Sequence, residues 1–346
     1  MKKRAHDCLT RGLLLLAGSV LLASCNRGGS PEDGQGAAPT GGTGTNTSAG
    51  APKTGKKIVV GFSQIGAESG WRTANTESIK SEAAKRGIDL RFADAQQKQE
   101  NQIKALRSFA AQGVDVIAFS PVVTTGWEPV LREIKRKKIP VVLTDRSVDV
   151  TDPSLYASFI GSDFIEEGRR AANWLAKETG GKAVIAELQG TPGSAPAIDR
   201  RKGFMEVLKK YPNMKIVKSQ SGDFTRAKGK EVMESFLKSP EGKTITALFA
   251  HNDDMALGAI QAMEEAGRKP GKDIKIVSID AVKGAFEAMM AGKLNCTVEC
   301  NPLIGPQLFD TVEAIEAGKT IPKRIEVKEG VFEQKVAATA IKTRQY

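Results

Sequence analysis

From residue 57 onward, short apolar runs alternate with longer stretches in which apolar positions recur every three or four residues. The runs KIVVGFSQI (57–65), DLRFADA (89–95), DVIAFSP (115–121) and IPVVLTDRS (139–147) read as strands. Between them, residues 72–86, 99–113 and 126–138 carry helical spacing, and Gly87 and Gly113 mark helix ends. The pattern then restarts. Helical segments at 166–181, 199–212, 228–239, 254–267 and 284–292 alternate with strands at 182–190, 215–222, 245–253, 273–281 and 294–301. A last helix over 304–318 precedes RIEVKEGVFE (324–333). Strands separated by helices of ten or more residues require crossover connections, hence parallel sheets. The expected fold is α/β, with two successive doubly wound units joined near residues 157–163. In such sheets ligands bind beyond the carboxyl ends of the strands. Two units that turn those ends toward one another place the site in the cleft between them.

The residues just after the strands are polar and aromatic. GAESGWRTAN (66–75) follows the first strand and offers Glu68, Trp71 and Arg72, with Gly66 and Gly70 allowing the chain to turn. TDRS supplies Asp145 and Arg146. The second unit supplies Arg200 at a helix start, Phe224 in SGDFTRAKG, Asn252 in AHNDD and Asp280 in SIDA. Carboxylates accept hydrogen bonds, guanidinium groups donate two in a plane, and an amide does both. Vicinal hydroxyls need that mixture, and the C–H faces of a sugar ring need an aromatic platform. Each residue also has a plain structural use. Asp145 and Arg146 can pair in a turn, Asn252 can cap a helix, and Arg200 can belong to a solvated face with Arg201 and Lys202. Phe224 can be core, and Asp280 can begin a turn. Their common position after successive strands favours a small polyol ligand. Trp127 and Trp174 lie inside helical patterns and are expected to pack.

Composition narrows the classes. The 346 residues suffice for two domains with real cores. The net charge of +11 is spread along the chain without a basic block, which argues against nucleic acid. Part of it belongs to a basic stretch and an apolar stretch that end in LASC at Cys25. This is a secretory signal with a lipobox-like end. Removing residues 1–24 takes away four basic residues and one acidic one, leaving +8. Residues 26–56, rich in Gly, Ser, Thr, Pro and Ala, read as a flexible tether reaching roughly 30 Å. Cys296 and Cys300, four apart on one strand, would lie roughly 13 Å apart. A disulfide needs Cα atoms at about 4.4–6.8 Å, so two free thiols are expected. His251 is the one histidine beyond the signal, and no Gly-x-Ser-x-Gly elbow, zinc spacing, Walker loop or dinucleotide fingerprint is present.

The strings TDRS, ELQG, DRRKGF, HNDDMALGAIQA and SIDA occur in order over residues 57–346. With them the chain resembles the type I periplasmic sugar-binding proteins of ABC importers, the ribose- and galactose-binding group. GFSQIGAESGWRTAN, QQKQENQIKA, GWEPVL and SQSGDFTRAKGKEVMESF are similar to its galactofuranose-binding members. The resemblance implies a clamshell with three crossings at its hinge. One lobe would comprise 57–160 and 302–324, the other 161–301 and 325–346. It further implies that the loop of Glu68, Ser69, Gly70, Trp71 and Arg72 holds the sugar ring. Asp145 and Arg146 would grip hydroxyls, with Arg200, Asn252, Asp280 and Phe224 completing the site from the other lobe. Cys300 departs from the pattern, standing near the second crossing where ribose binders often carry a hydrogen-bonding Gln. The implied protein is not an enzyme and uses no cofactor or metal. It is a monomer at the outer face of a membrane or in the periplasm, lipid-anchored at Cys25. There it captures a monosaccharide, galactofuranose foremost, for an ABC importer permease. A sugar sensor presenting its closed form to a signalling membrane protein is the alternative. A repressor-like ligand core is disfavoured by the signal and by the lack of a DNA-binding head.

Overall fold

The structure, a computed structural model, describes residues 57–346. The signal, Cys25 and the tether lie outside the described residues. The first half of the chain forms β1 (Val59–Gln64), α1 (Gly70–Lys85), β2 (Asp89–Asp94), α2 (Gln99–Gln112), β3 (Val116–Phe119), α3 (Glu128–Arg136), β4 (Val141–Thr144) and β5 (Ser158–Gly161). The second half forms α4 (Phe164–Glu178), β6 (Lys182–Gln189), α5 (Ala195–Leu208), β7 (Asn213–Ser221), α6 (Arg226–Lys238), β8 (Ala247–Ala250), α7 (Asp253–Glu265), β9 (Lys275–Asp280), α8 (Lys283–Met290) and β10 (Cys296–Glu299). The chain then adds α9 (Gly305–Glu316), β11 (Arg324–Glu326), β12 (Val331–Glu333) and α10 (Ala337–Ala340).

Two six-stranded sheets result, ordered β11-β5-β4-β3-β1-β2 and β12-β10-β9-β8-β6-β7. Every pairing between these strands is parallel except that of β12 with β10. Helices cover both faces of the first sheet, which explains its continuous apolar strands. Alternate residues serve opposite faces. Val116 and Ala118 pack with Ile79 of α1 and Phe309 of α9, whereas Ile117 and Phe119 pack with Leu106 of α2 and Trp127. Trp127, expected to pack in the core or at the surface, is fully buried, and Trp174 packs partly buried against the core of the second sheet.

The chain passes between the sheets three times, after β5, after β10 and between β11 and β12. The expected third boundary at 324/325 falls inside β11. Arg324–Glu326 pairs with Phe159–Gly161 in the first sheet, so the crossing lies at 327–330. Strand β5 was not read from the sequence, where 157–163 figured only as a junction. Helix α1 starts two residues before the expected position. Ser69 is its N-cap, with extended backbone (φ −147°) and a side chain accepting from the Arg72 N–H at 3.1 Å. Trp71 and Arg72 therefore sit in the first helical turn rather than in a loop. Cys296 and Cys300 are free thiols, both buried.

Candidate functional site

The strand ends of both sheets line a cavity between them. From the first sheet's side it is lined by Glu68, Ser69, Trp71 and Arg72 after β1, and by Asp145 and Arg146 after β4. The second contributes Arg200 of α5, Phe224 between β7 and α6, Asn252 at the cap of α7, and Asp280 at the end of β9. Gly70, expected among them, does not line it. As the first residue of α1, it aims its N–H at the Asp254 Oδ2 of α7, 2.8 Å away, across to the other sheet's side. Two lining residues were not anticipated as site residues, Pro196 and Cys300. Cys300 directly follows β10, so the strand-end rule could have found it. Pro196 carries no chemical signal of its own.

Backbone conformation aims several of these side chains. Asp145 (φ 61°), Phe224 (φ 62°) and Asp280 (φ 130°) have positive φ. L-residues rarely adopt this region, and an aromatic there is a true outlier. Such strain concentrates at sites held by surrounding structure.

The charges interlock. Arg72 donates from Nη2 to Asp145 Oδ2 at 2.7 Å and from Nε to Glu68 Oε1 at 3.0 Å. Burial opposes its charge, but Asp145 and Glu68 outweigh that and raise its pKa. Arg146 donates to the Val122 carbonyl at 3.1 Å and has Asp145 Oδ2 at 3.6 Å. Burial and the neighbouring charge of Arg72 lower it to about 10. Arg200 donates from Nε to Glu167 Oε2 at 2.6 Å and from Nη1 to the His251 carbonyl at 2.6 Å. Asp280 Oδ1 lies 3.7 Å from Arg200 Nη2, and burial pushes the Asp280 carboxyl well up. Asn252 serves its helix: Oδ1 accepts from the Met255 N–H at 3.0 Å and Nδ2 donates to the Phe224 carbonyl at 3.0 Å.

The aromatic residues complete the enclosure. Phe224 has the guanidinium of Arg146 5.2 Å from its ring centroid and that of Arg200 at 5.9 Å. Trp71 carries the Arg72 guanidinium 4.6 Å from its own centroid. Its Nε1 donates to the Cys300 carbonyl at 2.6 Å, and its ring packs into the second sheet's core. Three buried polar atoms at the cavity have no hydrogen-bond partner, namely Glu68 Oε2, Arg72 Nη1 and Arg146 Nε. Buried polar atoms ordinarily find partners. An acceptor beside two guanidinium donors, with aromatic walls, can hold a neutral ligand carrying several hydroxyls.

A family model described as a periplasmic binding protein domain matches residues 60–320. The galactofuranose-binding protein YtfQ of Escherichia coli (strain K12) is 57% identical over 270 residues, which are 78% of this chain and 85% of that protein. The periplasmic binding protein component of the arabinose ABC transporter from Shewanella sp. ANA-3 was solved bound to α- and β-L-arabinofuranose. It matches with a TM-score of 0.81 and 57% identity, covering 83% of this chain and 96% of that one. A Mycobacterium smegmatis protein solved with β-D-fucofuranose matches with a TM-score of 0.81 and 56% identity, covering 84% and 95%.

Proposed function

The chain belongs to the periplasmic binding protein domain family, as a sugar-binding protein of ABC transporters and not an enzyme, and from that premise we propose that it captures a furanose sugar, galactofuranose foremost, and hands it to an importer. The observation that carries this reading is the cavity's polar set. Three carboxyl groups and three guanidinium groups line it, a balance that suits a neutral polyol better than an ion. Arg72 Nη1 and Arg146 Nε are donors for ring hydroxyls, and Glu68 Oε2 is an acceptor. The sugars named for the relatives share a five-membered ring and differ in the arm beyond it. In this reading the ring sits against the aromatic residues, and the arm accounts for gradations among sugars.

Capture works by closure of two lobes about the three crossings. The ligand bridges residues from both and so shifts the population toward the closed form. Direct contacts assist. Gly70 bonds Asp254, and Thr124 N–H donates to the Gly193 carbonyl at 2.9 Å, each pair spanning the two sheets' sides. Closure excludes water, which strengthens the charge-assisted bonds. Lipid attachment at Cys25 would keep this monomeric receptor near its permease, on a tether of about 30 Å typical reach.

The test is a thermal-shift screen over pentoses and hexoses, followed by calorimetric titration with D-galactose, L-arabinose and D-ribose. A ligand that binds only the folded protein raises its melting temperature. Galactose and arabinose, which supply a furanose fraction at equilibrium, are expected to shift it. No shift with any monosaccharide would sink the transport reading, whereas a shift with ribose but not galactose would sink only the choice of sugar.

A further inference from the structure

Beneath the cavity, all three crossings converge on one carboxyl group. Glu329 lies in the third crossing. One of its oxygens, Oε1, accepts from the Ser162 hydroxyl of the first crossing and from the Asn301 N–H of the second, the latter at 3.0 Å. Cys300 Sγ of the second crossing is 3.4 Å from Ser162 Oγ. From α4, Glu167 reaches the same place. A carboxylate oxygen of Glu167, one of Glu329 and Cys300 Sγ lie within 4.8 Å of one another. The other face of Glu167 holds Arg200, which lines the sugar cavity. Glu167 is fully buried, and its Oε1 has no hydrogen-bond partner.

Resting on the sugar-binding reading above, we propose that Glu329 and Glu167 share one proton as a clasp. The clasp ties the three crossings together and positions Arg200, so that sugar affinity falls when the proton leaves. Two carboxylates this close in a buried setting do not both ionise readily. A protonated Glu329 donates to the open Glu167 oxygen, while its other oxygen keeps the bonds to Ser162 and Asn301. Glu167 then remains a carboxylate for Arg200. Burial, reinforced by the charge of Glu167, raises Glu329 to about 9, and burial also raises Glu167 despite Arg200.

The remaining charged groups around the clasp do not supply a second cation to its centre. Arg170 of α4 donates to the Glu329 carbonyl at 3.1 Å, and Arg324 of β11 donates to the Ser162 carbonyl at 2.8 Å. Asp163, Glu166, Glu326 and Lys328 line the groove on the solvent side. Asp280 of β9 faces Arg200 from the cavity. The Cys300 thiol is pushed well up by burial and stays neutral.

The sign follows from linkage. The closed form holds the proton more tightly than an opened form in which water reaches the crossings. Affinity is therefore full at low pH and is lost as pH rises toward about 9, by at most about tenfold per pH unit for one proton. Calorimetric titration with L-arabinose and D-galactose from pH 6 to 9, in buffers of differing ionisation heat, reads both Kd and proton uptake. Wild type is expected to weaken with pH and to take up a fraction of a proton on binding. Glu329→Gln, an amide of the same shape with no proton to lose, is expected to flatten the profile and abolish the uptake. Circular dichroism at each pH confirms that both proteins are folded. A wild-type Kd constant over this range overturns the clasp while leaving the sugar site standing, as does a Glu329→Gln variant that keeps the wild-type slope. A melting-temperature rise with ZnCl₂ alone, lost in Cys300→Ser, would overturn it in favour of a cation site.

Discussion

Gly190, at the end of β6, lies under the ring of Phe224, and replacing it with alanine tests whether that ring is part of the binding surface. A Cβ at position 190 would stand 1.9 Å from Phe224 Cζ, 2.3 Å from Cε2 and 2.4 Å from Cε1. Carbon atoms prefer about 3.5–4.0 Å, so the ring would have to withdraw by roughly 1.5 Å. It cannot do so freely. Its backbone sits at φ 62°, and the guanidinium groups of Arg146 and Arg200 flank it. Gly190 and Phe224 belong to the same side of the cleft, so the strain of about 1–3 kcal/mol exists before ligand arrives and should appear as a lower urea midpoint. What reaches binding is the displaced platform and its cation–π contacts, worth about 0.5–2 kcal/mol. That converts to a roughly 2- to 30-fold weaker Kd. Calorimetric titration of Gly190→Ala, Phe224→Ala and the double variant completes a mutant cycle. If the ring carries the effect, Gly190→Ala costs nothing further once Phe224 is alanine. A wild-type Kd in Gly190→Ala, or losses that simply add, would refute the reasoning.

Arg72→Ala removes the group that pairs Glu68 and Asp145, and should abolish the sugar-induced thermal shift in a protein that still melts cooperatively; an undiminished shift would remove Arg72 from the site. Asp254→Ala deletes the acceptor of the Gly70 N–H, a bond to a charged group worth about 1.5–3 kcal/mol, so titration should show Kd weakened by about tenfold or more. Gly168→Ala would place a Cβ 2.0 Å from the Arg200 carbonyl oxygen, where α4 and α5 touch. Urea denaturation should show a loss of about 1–3 kcal/mol, with weakened sugar binding because Arg200 moves.

The repeating strands and helices were legible because buried parallel strands leave continuous apolar runs. Four-residue β5 escaped because SFIG is short and opens with a serine that bonds the Pro322 carbonyl, so its role depends on a distant partner. RIEVKEGVFE looked like one segment, yet Arg324–Glu326 and Val331–Glu333 join different sheets, a division made by pairing rather than by composition. At the site, the strand-end rule located nine of the twelve residues around the cavity and passed over Ser69, Pro196 and Cys300. The resemblance put Gly70 in the loop that holds the ring, whereas in the structure it gives a backbone N–H to Asp254 and does not line the cavity. Glu167 and Glu329 gave no sequence signal. One is an ordinary helical glutamate and the other lies in a connecting segment, and only the meeting of three crossings brings them together.

Trp71 also makes the molecule a gauge of its own state. Trp127 is sealed in the first sheet's core and Trp174 of α4 lines a separate groove with Glu178 and Lys275, so neither indole borders the cavity. Trp71 is 5% exposed, bonded to the Cys300 carbonyl and beside the Arg72 guanidinium. Its emission is therefore expected to be the part of the protein's ultraviolet fluorescence that responds to sugar, shifting blue and changing in yield under the proposed closure. A stopped-flow trace of the unlabelled protein reads the speed of capture directly.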